Sequence, residues 1–553
     1  MKKERIVDMM QEVCIVLLTL LAQVLVIALV VAVLMYLFMQ ALNIRSVGFI
    51  FCLLIVIVIM TAIEYWFYRF ERIKAKILLV ALASIVSYLL IGGCLSATMF
   101  RASRYHEMVE IEQGDFEKDI PNITNQIQVP IVDMETAQKL GDRTIGNIKN
   151  ATWYEVEDEY NLIKYQGEFY RISELSYGGF FKYLKAKDSG IPGYVLVNVE
   201  NQEAKYVQLE EPIRYSPSAF FGQKLKRHLR MQYPTYIFGS SFFEIDENGK
   251  PYYITSVRTP TIGAFGGAKE NSFIITNAST GESEEYKTEE LPEWVEHAYD
   301  LSYLMKVTKY NQTYVNGWFN SIFSKTDVLN TSYEYRNQKD DEENFAGYNT
   351  VITSNNDIVF YTGVTPASVA ESNVGFILAN PRTGKITYYE CAGAEESSAQ
   401  QAVESLVQDL RYTATFPTVI NVDGYETYFM LLKDKAGLVQ RYALCNVKDY
   451  TKVVQAENLE TCLNLYKEKL GMEPTMTEVQ EMSKTEGNIQ ELYQAEIDGC
   501  TFYYFTIEGD SNLYMSSIKN SNRQVLLRQG TKVNVEYVKS SEDGIFIVQK
   551  IAF

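Results

Sequence analysis

The sequence predicts a three-helix transmembrane anchor, then an α+β extracytoplasmic region of repeated units, each a helix on a three-stranded antiparallel sheet, and last a small C-terminal β-barrel of the OB type. Three observations predict it. Long N-terminal stretches carry no charge, a short aromatic-to-Asn segment recurs four times, and the last seventy residues read as five strands cut by glycine turns. The chain has 553 residues, 47% of them hydrophobic, and a formal net charge of −18. Its mean hydropathy of −0.11 averages an apolar start with a polar remainder. The first hundred residues hold eight Lys/Arg against five Asp/Glu, a net of +3, which leaves −21 for the rest. Such acidity argues against nucleic acid as a partner, because phosphate binding needs clustered Lys and Arg.

The anchor comes first. No charged residue occurs from Val13 to Ile44, from Ser46 to Ile63 or from Leu78 to Phe100. About 20 apolar residues cross a hydrocarbon core of roughly 30 Å, and only a helix hides its own polar backbone there. Spans are therefore expected at about 13–39, 46–66 and 77–100, within a segment 1–105. Lys2, Lys3 and Arg5 precede the first, Arg45 alone lies in the first loop, and Arg69, Arg72, Lys74 and Lys76 crowd the second. The positive-inside rule then gives a cytoplasmic N-terminus and places everything after about residue 100 outside the cell membrane. Gln23 and Glu64 are the polar residues within or at the end of the spans, read as a helix-pairing and an interfacial group.

Four segments align next: Gly193-Tyr-Val-Leu-Val-Asn198, Ser272-Phe-Ile-Ile-Thr-Asn277, Gly375-Phe-Ile-Leu-Ala-Asn380 and Arg441-Tyr-Ala-Leu-Cys-Asn446. Each reads as a strand that ends in a turn, with Gly281 and Gly384 placed for positive φ. Strands are expected just before each, at Glu168–Leu175, Lys250–Val257, Asp357–Val364 and Glu426–Lys433, and a short return strand after, such as Lys385–Tyr389. Helices are expected at about Met134–Gly146, after Pro292, from a capping box at Ser398–Gln401, and over Leu459–Leu470 with Gly471 as the stop. The units fall at 106–235, 236–345, 346–412 and 413–475.

This hairpin, with its Asn followed by Gly four residues on, resembles the PepSY and cystatin-like modules of bacterial envelope proteins. That family usually has Asp where Asn198, Asn277, Asn380 and Asn446 stand here. The whole chain also resembles multi-spanning membrane proteins of Gram-positive anaerobes. The resemblance implies a module without catalysis that binds peptides or peptidases, or regulates proteolysis at the cell surface.

The last region, 484–553, gives strands at Asn488–Ile497, Thr501–Ile507, Leu513–Ile518, Lys532–Lys539 and Ile545–Ala552. Five strands in so short a span fit a small barrel. Tyr503 and Phe505 are candidates to stack on a ligand; the competing reading is that alternate residues of that strand form the core. Lys224, Lys226, Arg227 and Arg230 make a basic cluster that could meet an anionic partner, or could be a solvated or internally paired helix face.

Other chemistry finds little support. His106, His228 and His297 are far apart, and no metal-ligand spacing, EF-hand loop or cofactor motif occurs. Ser516-Ser-Ile-Lys519 matches Ser-x-x-Lys without its companion motifs. Cys391, Cys445, Cys462 and Cys500 are too scattered for a disulfide framework. No catalytic residue, metal or cofactor is expected. The expected function is an integral membrane scaffold or binding protein of the cell envelope, presenting sheet modules to a peptide, protein or peptidase, with self-association an open option. The alternative is a peptidase regulator or a hydrolase with noncontiguous carboxylates.

Overall fold

The computed structural model describes residues 25, 28–33, 35–67, 72–123, 132–147, 150–337, 347–353, 355–368, 372–472, 483–497, 500–510, 512–518, 521–539 and 545–553. The start of the first expected span, Gln23, the side chain of Glu64, and Lys519 lie outside the described residues. The chain forms two compact units, Met1–Gly471 and Met472–Phe553.

The first unit begins with apolar helices α1 (Ala28–Phe38), α2 (Val47–Phe67) and α3 (Arg72–Ser96). Among the described residues one helix, Lys76–Ser96, is long and apolar enough to cross a membrane, while Ala28–Phe38 and Val47–Ala62 are shorter apolar stretches. After Ala97 the chain continues as α4 (Thr98–His106), β1 (Ile111–Gln113), α5 (Phe116–Asp119) and α6 (Met134–Asp142), which Asp133 caps by accepting from the Thr136 N–H.

Four antiparallel sheets follow. The first is β2 (Tyr154–Val156), β3 (Asn161–Tyr165), β4 (Glu168–Tyr177), then α7 (Phe180–Ala186), β5 (Ile191–Asn198) and β6 (Ala204–Ile213). After α8 (Leu225–Gln232) comes β7 (Ile237–Ile245), β8 (Pro251–Ile262), β9 (Gly266–Asn277) and β10 (Ser283–Tyr286). Then α9 (Leu301–Thr313), α10 (Gly317–Ile322), β11 (Leu329–Thr331), α11 (Ser332–Asn337), β12 (Asn349–Ile352), β13 (Ile358–Pro366), β14 (Ser372–Ala379) and β15 (Ile386–Ala394) lead to α12 (Glu396–Leu406). The fourth sheet is β16 (Thr413–Ala414), β17 (Thr418–Val422), β18 (Tyr425–Lys433), β19 (Val439–Asn446) and β20 (Val453–Ala456), closed by α13 (Leu459–Leu470).

Each sheet is the same four-position meander, with one leading strand more than expected. The second and third positions are the expected pair: β4–β5, β8–β9, β13–β14 and β18–β19. The leading position is split in three sheets, as β2 and β3 on β4, β11 and β12 on β13, and β16 and β17 on β18. In the second sheet β7 fills it alone, with an irregularity between Phe238 and Ser241. β1 joins β15 as a parallel outer strand, so Ile111–Gln113 belongs to the third sheet rather than to the first expected unit.

The meanders bury both faces. Val359, Tyr361, Phe376 and Leu378 of the third pack on Tyr428, Met430, Leu432 and Ala443 of the fourth. The Tyr194 ring lies 6.1 Å from that of Phe243, joining first and second. α6 rests on β5 and β6, and its cap Asp133 and first-turn Glu135 hold Lys433 at the end of β18, so it links first and fourth.

Two expected helix starts differ. Residues 292–300 are not helical, and α9 begins at Leu301 under an Asp300 cap. Their amides are taken elsewhere: Glu244 accepts from Glu296 and His297, and the Pro381 carbonyl from Ala298 and Tyr299. α12 begins at Glu396, two residues before Ser398, with Glu395 as its N-cap. α13 is as expected, and Gly471 ends it at φ 79°.

The second unit is a barrel of β21 (Ser483–Ile497), β22 (Cys500–Ile507), β23 (Leu513–Ser517), β24 (Lys532–Lys539) and β25 (Ile545–Ala552). They close in the order β21-β22-β23-β25-β24, with β23 and β25 parallel. Ile489, Phe505, Tyr514, Val535 and Val548 fill it.

Candidate functional site

The recurring Asn does one job four times. Asn198 Oδ1 accepts from the N–H groups of Glu200 and Asn201, Asn277 from Ser279 and Thr280, Asn380 from Arg382 and Thr383, and Asn446 from Lys448 and Asp449. These are Asx turns, in which a short side chain replaces a backbone acceptor. The fourth residue after the Asn takes positive φ in three copies: Gln202 at 61°, Gly281 at 80° and Gly384 at 73°. The hairpins are structural.

Of the basic cluster, Lys226 is exposed and Lys224 half-buried, but the arginines are committed inward. Arg230 is 8% exposed; it donates to the carbonyls of Met39, Tyr233, Pro234 and Tyr236 and stacks on Phe238. Burial lowers its pKa to about 10. Arg227 donates to the Tyr36 and Phe221 carbonyls and lies 4.2 Å over the Tyr36 ring. The cluster therefore clamps the end of α1, and the four charges do not form one free anion-binding face. Tyr503 and Phe505 are also corrected: at 6% and 0% exposure they are barrel core, with no free ring face for a ligand.

The three His are separate. His106 donates to the Asn311 carbonyl, His228 to that of Gly281, and His297 to Glu244 Oε1 at 2.9 Å. Among the described residues no group of three His, Cys, Asp or Glu could hold a metal.

The structure brings together residues that the sequence reading did not single out. A cleft of about 610 Å³ lies where α6, β4, β12, β16 and the β18–β19 turn meet. Asp133, Glu135, Gln138, Arg171, Tyr348 and Lys433 supply its polar lining, with Thr413–Phe416 along one wall. Lys433 Nζ sits 2.5 Å from Asp133 and 2.7 Å from Glu135. Burial opposes ionisation of both carboxyls, but Lys433, with Lys139 at Glu135, outweighs it and holds them below the usual range.

Arg171 is the unusual member. It is 4% exposed and donates to the carbonyls of Val132 and Tyr160, at 2.9 and 3.3 Å. It forms no ion pair within 4 Å among the described residues, and burial lowers its pKa against the opposing pull of Asp133. Strand register shows why it stands out. Arg171 pairs with Val197, the residue before the turn Asn. At the same place the other meanders carry Tyr253 opposite Thr276, Phe360 opposite Ala379 and Tyr428 opposite Cys445. Three buried aromatics thus have a buried guanidinium as their fourth counterpart. The only signal in the sequence was a charge inside a strand, at a position no repeat alignment had yet fixed.

A second set of carboxyls is buried. Glu174 accepts a hydrogen bond from Tyr253, and burial, with Glu157 and Glu159 nearby, pushes its pKa up to about 8. Burial and Glu244 do the same to Glu296. No protein-family model matches the chain, and no curated protein matches it in sequence.

Proposed function

We propose that this chain is a membrane-anchored extracytoplasmic binding protein of the bacterial cell envelope, whose cleft takes a carboxylate-bearing segment of a peptide or protein partner. The observation that carries the reading is Arg171: a cation at a position otherwise aromatic, lining a cleft, with carbonyl partners but no ion pair among the described residues. A ligand carboxylate would complete its fork of donors in a poorly solvated place, where such a bond is strong.

The anchor reading rests on α3 and the shorter apolar α1 and α2, and on where the sheets touch them. Leu42 and Asn43 between α1 and α2 bond Pro234 and Thr235, and Ser96 at the end of α3 bonds Phe265. Both contacts lie at the end that an in-out-in-out path puts outside. The barrel's strand order, with its one parallel pair, supports the OB type, and the four Asx hairpins keep the PepSY resemblance as a proposal. A hydrolase reading draws on Glu174 and its neighbours, but Asp133 and Glu135, which line the cleft, are engaged by Lys433.

The test is a photo-crosslinking residue at Lys435, on the cleft rim, in intact cells. A peptide or protein adduct should form there, survive Arg171→Lys and be lost with Arg171→Gln. An adduct insensitive to Arg171, or equally strong from Tyr450 on a distant turn, would overturn the reading. Turnover of a small molecule by purified protein would favour the hydrolase.

A further inference from the structure

Leu406, Leu410, Tyr425, Tyr450 and Leu465 are exposed apolar residues set apart on other elements of the first unit, but most of the others gather. Apart from the apolar helices, two groups stand out, and each borders a helix end. The first is linked through Arg227 to Tyr36, near the end of α1. Phe180, Phe181 and Phe221 cluster edge to face, and Phe181 is 77% exposed. Met231 on the adjoining α8 is 75% exposed. Lys185, Lys187 and Lys226 are exposed beside them. Arg227 and Arg230 tie this group to the Tyr36 and Met39 carbonyls.

The second group borders the end of α3. α10 packs on α4, which follows α3 after a single residue. On it Phe319, Ile322 and, just beyond, Phe323 are exposed, Phe323 at 77%, with exposed Lys325 next in line. The β8–β9 hairpin also reaches along α3: Phe265 packs edge to face on Tyr88 at 5.5 Å and lies against Gly92. Tyr88 precedes the end of α3 by eight residues, about 12 Å of helix at 1.5 Å per residue.

We propose that these two aromatic and basic groups rest in the outer surface of the lipid bilayer, so that the sheet unit lies on the membrane rather than hanging from it. The proposal rests on the anchor reading. Continuity argues for lipid: the groups begin where the exposed apolar sides of α1 and α3 end, at the depth where aromatic rings with a polar rim are stable. Charge argues likewise. A unit that is acidic overall would be repelled by anionic headgroups, yet at these groups the exposed Lys185, Lys187, Lys226 and Lys325 outnumber the neighbouring exposed Asp188 and Asp327, each lysine worth about 1 kcal/mol near an anionic surface. Water would leave the rings a persistent apolar patch, and among the described residues of the first unit nothing covers them.

The test uses the full chain in nanodiscs of phosphatidylcholine with phosphatidylglycerol. p-Benzoylphenylalanine replaces Val80 on α3, Phe181, Phe323 or Tyr450, one at a time, and lipid adducts are read by mass. Adducts at 80, 181 and 323 but not at 450 are expected, and yield at 181 should fall about twofold or more without the anionic lipid. An adduct at 80 with none at 181 and 323 overturns the surface contact and leaves the anchor standing. No adduct at 80 overturns the anchor itself. An unchanged yield without phosphatidylglycerol removes the lysines from the argument.

Discussion

Replacing Asn446 by alanine should open the fourth meander's turn by about 2 kcal/mol. The side chain accepts from Lys448 N at 3.1 Å and Asp449 N at 2.9 Å, and donates to the Tyr466 hydroxyl at 3.2 Å. Each bond is worth about 1 kcal/mol net. Tyr466 keeps its bond to Thr427, so two lost acceptor contacts dominate. The assay is amide hydrogen exchange across Lys448–Lys452, where about 2 kcal/mol is roughly a 30-fold faster opening. Aspartate separates the turn from its surroundings. Asn446→Asp keeps both acceptor contacts and lets Tyr466 donate, so exchange should stay near wild type. Asn198 donates instead to Glu168 Oε2 at 3.0 Å, so Asn198→Asp sets carboxylate against carboxylate and should loosen the first turn at pH 7 but not at pH 4. Under threefold acceleration for Asn446→Ala, or equal behaviour of the two aspartates, would refute the Asx assignment.

Other consequences are simpler. Gly281→Ala should destabilise the second meander by more than about 1 kcal/mol in thermal denaturation: φ is +80° and the new Cβ would lie 2.5 Å from the Tyr215 ring. Burial raises the folded pKa of Glu296 to about 8, from the ordinary 4.5, so the stability it lends is present below about pH 4.5 and lost as pH rises through 8. Glu296→Gln should therefore raise the melting temperature at pH 9 and change little at pH 4. Cys391 is buried, and burial raises its thiol pKa to about 12, so an impermeant thiol reagent should miss it in native whole cells. It should label once the protein is denatured in place; labelling only after lysis would reverse the proposed orientation.

The strands that bury both faces were legible because Tyr, Phe, Ile and Val crowd them: β4, β13 and β18 lie within two residues of the expected bounds, as do four of the five barrel strands, while β8 and β21 each run five residues longer at one end. The leading strands were not, because three are split and β12 has only four residues, too few for a period to show. The helix expected after Pro292 failed for a tertiary reason: Glu244 and the Pro381 carbonyl take the amides a helix would have used. Tyr503 and Phe505 illustrate a limit of alternation, since either parity of a barrel strand can face inward and only closure decides. The basic cluster was visible as charge, but its commitment to carbonyls between 36 and 39 depends on a contact across some 190 residues. The cleft was invisible for the same reason: its wall joins α6 to β18, about 300 residues apart.

Register turns the repeat into a control for Arg171. If the first meander were only a sheet module, the aromatic found at this place in the other three would serve it better, because a buried guanidinium bears a desolvation cost that carbonyl partners only partly offset. Arg171→Tyr should then stabilise the unit, or leave it unchanged, in denaturant titration, while abolishing the Arg171-dependent adduct at residue 435. Stabilisation with loss of the adduct is the pattern of a site kept for binding at the expense of stability. Strong destabilisation would mean instead that the bonds to Val132 and Tyr160 hold α6 onto the sheet, and Arg171 would be a structural strut. The titration thus separates the strut from the site, and the adduct at residue 435 shows whether the site binds.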